Sequence, residues 1–375
     1  MPAASQRRLN NHMKIVVLAG GLCPERDVSL LSGTKVCNAL RQNGHQAVMV
    51  DIYMGLPGYQ QKDLESLFEM DGSLLPDPRI SSTMPDLEAL RKERLQMLGA
   101  CSCPDNGLYH QSSQLGPNVL ELCRLADICF MGLHGGIGEN GMLQATLDVL
   151  GIKYTGASSL ASALAMHKGV TKQILSDAGV PNARGRQIHE DDRYTPLSEL
   201  GFELPCVVKV CSGGSSLGVY IPETETEYES ALDECFAMEG DVLIEEYIRG
   251  REFAVPVIAG KACPIIEIIP KSGWFDYENK YQEGRTDEVC PAQIDAGTTS
   301  AMQRAAERAC EALGIQVYAR PDFLMDNEGR IYCVEINTLP GLTPASLLPK
   351  SAAQTGLSYN DFCELVVAES LKKYD

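Results

Sequence analysis

Residues 14–19 are nearly all apolar and are cut off by Gly20-Gly21, after which Pro24 opens a helical pattern that runs to about Asn43 and stops at Gly44. A strand apolar on both sides must be covered on both sides, so this strand, glycine turn and helix call for a parallel sheet flanked by helices. Segments 46–52 and 127–131 read as further strands of that sheet, with helices at 143–150 and 158–178. The chain therefore begins as α/β. Between Gly55 and Gly116 the pattern weakens around Pro57, Pro76, Pro78, Pro85 and Pro104, with one charged helix near 86–98.

After Pro181 the texture changes. Strands at 206–210, 219–221, 242–247, 252–259 and 264–269 crowd together across short turns, the pattern of an antiparallel sheet in an α+β region. A helix at 298–313 is followed by a hairpin, 318–325 and 331–337, about Asn327-Glu328-Gly329, and two more helices close the chain. A length of 375 residues accommodates two or three domains. The 32 Lys+Arg against 50 Asp+Glu give −18, which excludes a surface built to collect nucleic acid or anionic lipid. Any polyphosphate must then be held by a few placed cations, a metal and backbone amides.

No apolar run approaches the roughly 20 residues of a membrane span. The first dozen residues, with Arg7 and Arg8 and no apolar core, read as a tail and not as a secretory signal, so a cytoplasmic location is expected. Most of the fourteen cysteines sit inside apolar runs and read as small buried hydrophobes. Cys101 and Cys103 have no second pair to complete a zinc set.

The hairpin is the richest segment in chemistry. Alternation puts Arg320 and Asp322 on one face of its first strand and Glu335 and Asn337 on one face of its second. A turn symmetric about Asn327 and Glu328 sets Arg320 opposite Glu335, and the oxygen ligands suit Mg²⁺; the alternative is a solvated hairpin face. The Pro340-Gly341-Leu342-Thr343 segment that follows reads as a shaped loop. Lys209 precedes Ser212-Gly213-Gly214-Ser215-Ser216-Leu217-Gly218, where small residues let amides approach phosphate oxygens, although a flexible tip has the same composition. It is not a P-loop, because no Gly-Lys-Ser/Thr ends it. Lys168, near a helix start, is a second cation for the same phosphates. Glu25 is either a helix cap or a carboxylate facing a ligand amine. His134 begins a loop with four glycines up to Gly141, where a catalytic role and a structural bond to a loop both fit.

In this order the pieces resemble the D-alanine–D-alanine ligases of the ATP-grasp superfamily. The resemblance covers 14 to about 51 and then 127 to the C-terminus. It rests on the Gly20-Gly21 to Ser29 segment, the His134–Gly141 loop, Lys168 with Lys209, and Gly214-Ser215-Ser216-Leu217-Gly218. Tyr277-Glu278-Asn279-Lys280-Tyr281, Arg320-Pro321-Asp322-Phe323 and Glu335-Ile336-Asn337-Thr338-Leu339-Pro340-Gly341 complete it.

The fold it implies is α/β and α+β: an N-terminal parallel-sheet (pre-ATP-grasp) domain at 13–156, with 57–116 a family-atypical elaboration, then a two-lobed ATP-grasp module at 157–245 and 246–375. The activity it implies is ATP-dependent joining of two D-alanines for peptidoglycan precursor synthesis. By the same resemblance Lys168, Lys209, Ser216, Glu245 and Glu252 hold ATP, and Asp322, Glu335 and Asn337 hold two Mg²⁺ ions, with Mn²⁺ as a substitute. Glu25 receives the ammonium of the first D-alanine in a triad with Ser215 and Tyr281. Lys280 and Ser346, with Leu347 and His134, bind substrate, and Arg320 and the Gly341 amide meet the oxyanion.

A glycine-bounded segment, 273–284, is the expected lid that keeps water from the acyl phosphate. A homodimer is expected from the resemblance alone. Asn140 in place of an aspartate, Leu22-Cys23-Pro24, Cys211 and Gly213 depart from the family pattern and bear on substrate fit. A D-alanine–D-serine ligase, another carboxylate–amine ligase and a nucleotide-binding regulator without turnover are the competing readings.

Overall fold

Burial on both faces is what the first strand's composition demanded, and the computed structural model provides it. The structure describes residues 12–69, 73–78, 84–100, 113–214, 217–271 and 285–375. In it β1 (Lys14–Ala19) is followed by α1 (Arg26–Gln42), β2 (Gln46–Asp51), α2 (Leu87–Ala100), α3 (Val119–Arg124) and β3 (Ile128–Met131). The sheet order is β2-β1-β3, all parallel, with Ile15 beside both Ala47 and Ile128. Ile15 through Ala19 are fully buried, each large aliphatic contributing roughly 1.5–3 kcal/mol. α2, within the elaboration, is fixed through Arg94, which donates to the Ser113 and Leu115 carbonyls at 2.6 and 2.8 Å and lies over the Tyr53 ring. Two short helices follow, α4 (Gly136–Glu139) and α5 (Met142–Val149).

The chain divides into two compact units, Met1–Ser159 with Leu339–Asp375, and Leu160–Thr338. At their junction the single helix expected over 158–178 is two, α6 (Ser159–Met166) and α7 (Lys168–Asp177). His167 is extended (φ −88°, ψ 94°), bridges to Ser212 and caps α7 by accepting the Val170 N–H, while Lys168 N–H bonds to the Cys211 carbonyl. Tertiary pairing here overrides helix propensity.

β4 (Gly185–His189), β5 (Cys206–Val210), β6 (Val219–Tyr220), α8 (Glu225–Met238) and β7 (Asp241–Glu246) form the next layer pair. The antiparallel order is β4-β7-β5-β6. The expectation of short turns throughout fails between β6 and β7, where α8 packs Tyr228 and Leu232 against Val208 and Ile244. β4 was not expected either, because its sequence, GRQIH, carries almost no apolar signal. β5 has the bounds expected, with Lys209 inside it.

β8 (Gly250–Ala254), β9 (Val257–Ile258), β10 (Lys261–Ala262), β11 (Ile266–Pro270), β12 (Thr286–Val289), α9 (Ala296–Ala312), β13 (Tyr318–Asp326) and β14 (Ile331–Asn337) complete this unit. Seven strands run β10-β9-β13-β8-β11-β12, with β14 also on β13. The strand expected over 252–259 is split at Pro256, which has no N–H for a ladder.

The hairpin is as long as expected, but its register is not symmetric. Next to the turn Met325 already pairs with Ile331, one residue off the symmetric register, and a bulge between Asp322 and Phe323 adds a second, so that Asp322 lies opposite Glu335 and Arg320 opposite Asn337, not Glu335. One extra residue on β14 shifts the pairing, and alternation cannot reveal such an insertion.

From Leu339 the chain returns to the first unit with α10 (Leu347–Ala353) and α11 (Tyr359–Leu371). His45 Nε2 meets Glu364 of α11 at 2.9 Å. Every described cysteine except Cys290 is buried, and none of the described cysteines forms a disulfide; Cys101 and Cys103 lie outside the described residues. Among the described residues no helix is long and apolar enough to cross a membrane.

Candidate functional site

The unit Leu160–Thr338 contains a cleft of about 530 Å³. Val207, Ile248, Ile268 and Phe323 supply apolar wall, and Lys168, Lys209, Glu245, Glu252, Asp322 and Glu335 supply charge. Six of the residues singled out from sequence thus share one concavity, as a polyphosphate attached to a flat ring would require.

Lys209, 4% exposed near the end of β5, meets Glu245 at 2.6 Å. Glu245, itself buried on β7, also meets Lys172 at 2.7 Å. Burial pushes the Glu245 carboxyl up, but Lys209 and Lys172 more than offset this and hold it below its usual range. Lys172 was missed in the sequence. It lies one helical turn from Lys168 on α7, and that i, i+4 spacing was the available signal. Lys172 also donates to Asn182 Oδ1 and the Ala183 carbonyl, so it is tied to backbone rather than free to swing.

Lys168 donates from Nζ to the Gly213 carbonyl at 2.5 Å and thereby touches the glycine-serine loop. Desolvation lowers its pKa, Glu335 opposes that, and the nearby Lys209 adds to the lowering. A loosely solvated, half-exposed lysine would show no such shift.

On the hairpin, Arg320 grips Asp322 through two parallel bonds of 2.8 and 2.7 Å. Asp322 is 6% exposed and pairs across the ladder with Glu335. Arg320 and Asn337 form the adjacent cross-strand pair and are not part of the cleft lining. Among the described residues no three His, Cys, Asp or Glu converge as a metal set. A cation here must combine two carboxylates with amide and ligand oxygens, a hard-oxygen set that fits Mg²⁺ and not a zinc cage.

In the other unit, Glu25 sits at the α1 N-cap without a side-chain capping bond, so simple capping does not account for it. Its carboxylate lies over Gly135. A Cβ there would stand 2.6 Å from Glu25 Oε2, and the Gly135 backbone (φ +65°, ψ −179°) is one that essentially only glycine adopts. Arg26 and Asp51, both missed in the sequence, brace the preceding turn: Asp51 pairs with Arg26 and accepts N–H bonds from Gly21, Tyr53 and Met54.

Gly341 is pressed against Ser346, whose Oγ would be 2.8 Å from an added Cβ. Ser346 Oγ in turn accepts the Thr343 N–H at 3.1 Å and stands at the N-cap of α10, whose first residue Leu347 is buried. His134 is 3% exposed, with Nδ1 2.9 Å from the Leu339 carbonyl and Nε2 2.9 Å from Ser32 Oγ. Ser215, Ser216, Lys280, Tyr281 and the segment 273–284 lie outside the described residues.

Two family models match the chain, the D-ala D-ala ligase N-terminus over residues 14–157 and the D-ala D-ala ligase C-terminus over 175–368. The D-alanine–D-alanine ligase of Pediococcus pentosaceus is 41% identical over 367 residues, covering 97% of this chain and 99% of that one. That of Lacticaseibacillus casei is 40% identical over 364 residues, covering 96% and 97%. Among solved structures, the D-alanine–D-alanine ligase from Bacillus anthracis complexed with ATP superposes with a TM-score of 0.71 at 28% identity, covering 97% of this chain and 98% of that one. The VanG D-Ala:D-Ser ligase from Enterococcus faecalis gives 0.70 at 25%, covering 96% and 100%.

Proposed function

Because this chain belongs to the D-alanine–D-alanine ligase family, we propose that it is an ATP-dependent ligase of ATP-grasp fold that joins two D-alanines into D-alanyl-D-alanine for peptidoglycan precursor synthesis. The observation that carries the nucleotide half of this reading is the cleft that Lys168, Lys209, Asp322 and Glu335 line together with Glu245 and Glu252.

The carboxylate of the first D-alanine attacks the γ-phosphorus of ATP and ADP leaves, giving an acyl phosphate. The amine of the second then attacks the acyl carbon; a C–N bond forms, the amine loses a proton and the phosphate departs. Such chemistry needs charge neutralisation and in-line placement more than a protein nucleophile. Lys168 and Lys209 take the phosphates, with Ser216, and Glu245 and Glu252 the adenine and ribose end. Glu25 receives the first ammonium with Ser215 and Tyr281, while Lys280 and Ser346 hold the second carboxylate, beside Leu347 and His134. Arg320 and the Gly341 amide face the oxyanion.

Asp322, Glu335 and Asn337 would hold Mg²⁺, with Mn²⁺ as a substitute, which neutralises charge on the phosphates. The proposed functional division is 13–156, 157–245 and 246–375, and the protein acts as a cytoplasmic homodimer. ADP and phosphate released on adding D-alanine with Mg²⁺, and none with L-alanine, is the expected result; a flat trace overturns the reading. Similarity to a D-Ala:D-Ser ligase makes D-serine the competitor at the second site. Weighing the product from a D-alanine and D-serine mixture separates the two, with D-alanyl-D-alanine expected to dominate.

A further inference from the structure

The segment Leu339-Pro340-Gly341-Leu342 is held at both ends by one hydrogen-bonded relay. A carbonyl oxygen only accepts, so the 2.9 Å contact with the Leu339 carbonyl places the proton of His134 on Nδ1. In the neutral ring Nε2 is then an acceptor, and at 2.9 Å Ser32 Oγ–H donates to it. The serine oxygen retains lone pairs, and the Leu342 N–H approaches one of them at 3.5 Å. His134 therefore fixes the residue two before Gly341, and Ser32 the residue just after it. The Tyr359 O–H adds a third hold, 2.7 Å from the Leu342 carbonyl.

Nothing in this relay is exposed. Ser32, His134, Leu339 and Leu342 are 0%, 3%, 2% and 0% accessible. A serine on the buried face of α1 forgoes the apolar burial that position offers, and its hydroxyl is useful there only because it has the imidazole to bond. Ser29, one turn earlier, shows the same device: it accepts the Gly20 N–H and donates to the Gly132 carbonyl. α1 thus carries two buried hydroxyls whose partners are loops.

We propose that His134 and Ser32 are positioning residues for the Gly341 amide, clamping both ends of Leu339–Leu342 so that this N–H is aimed before any substrate arrives. The inference rests on the ligase reading for what the amide does, and it differs from a direct contact between His134 and substrate. A preorganised donor costs no reorientation when charge develops, and removal of one such donor lowers kcat by about 10²–10³. Loosening the loop removes part of that.

The test uses the full chain with His134→Leu, His134→Gln, Ser32→Ala and the double variant Ser32→Ala/His134→Leu. D-alanine-dependent ADP release gives kcat and KM, calorimetry gives ATP affinity, and hydrogen exchange reports the Gly341 and Leu342 amides. In His134→Leu, kcat falls about 50-fold and KM for D-alanine stays within threefold. His134→Gln, which keeps one donor and one acceptor, regains at least fivefold. Ser32→Ala costs about tenfold, and the double variant is no slower than His134→Leu alone, because the two act as one device. The loop amides exchange at least tenfold faster in both single deletions, with β1–β3 and ATP affinity unchanged.

A loss residing in KM for D-alanine, multiplicative effects in the double variant, or unchanged loop exchange each overturns the clamp. Absence of D-alanine-dependent ADP release from the unmodified protein overturns the ligase reading instead, and the exchange measurement still decides the clamp.

Discussion

In the unit Leu160–Thr338 charge is held by opposite charge: Glu245 between Lys172 and Lys209, Asp322 in the fork of Arg320. In the other unit His134 is held by neutral bonds between Ser32 and Leu339, and Glu25 has the room that Gly135 leaves, with the Arg26–Asp51 ion pair confined to the turn before it. The two devices differ in what a ligand can do to them. An ion pair can exchange one partner for a phosphate or a cation at little net cost, because the charge stays compensated. A buried neutral bond has no such substitute, so it keeps its geometry with or without ligand. The cleft is therefore built to be rearranged by its ligands, and the loops are built to stay as they are.

The largest effect that would break this contrast belongs to Glu335. Glu335→Ala removes a half-buried carboxylate from the cleft rim, and kcat for ADP release is expected to fall about 10³-fold with the thermal midpoint nearly unchanged. A fall below tenfold, measured by coupled ADP assay with saturating Mg²⁺, would mean that Glu335 is a solvated hairpin charge.

Glu245→Gln should instead be felt in stability. It leaves Lys209 and Lys172 without their shared carboxylate, and breaking a buried pair from one side costs about 3–5 kcal/mol by urea unfolding. The folded Glu245 pKa lies below its usual 4.5, so its contribution is present above that pH and is lost as the pH falls through the folded value. The stability gap between native protein and variant should accordingly narrow on acidification below about pH 4.5. A gap independent of pH would remove the ion-pair account.

For the neutral device the matching test is Gly135→Ala. Its backbone conformation costs a side chain about 1–3 kcal/mol, and the new Cβ displaces the Glu25 carboxylate. KM for D-alanine is expected to rise about tenfold while ATP affinity holds, and calorimetry with ATP separates the two. A parallel loss of both would make the defect one of folding.

What was legible in the sequence follows the same divide between local and distant. The apolar run of β1, the hairpin strands and the types of residue lining the cleft are written locally, in alternation and composition. Their holders are not. His134 and its Leu339 partner stand 205 positions apart, Lys209 and Glu245 sit on different strands, and the Asp322 bulge inserts a residue that no periodicity records. The break at His167 has the same origin, since its bridge partner Ser212 lies in the glycine-serine loop.

α8 is the exception, because its start was written locally and overlooked. Thr224 and Glu227 make a capping box: the Thr224 Oγ accepts the Glu227 N–H at 3.3 Å and the Glu227 carboxylate accepts the Thr224 N–H at 3.2 Å. The helix covers the face of β5 and β7 that carries Val208 and Ile244, the face away from Lys209 and Glu245, and none of its residues lines the cleft. Thr224→Ala should therefore cost about 1 kcal/mol in urea unfolding and leave kcat and both KM values within twofold. If kcat drops further, the ion pairs of the cleft depend on how firmly α8 seats its sheet, and the cleft would share the preset geometry here reserved for the loops.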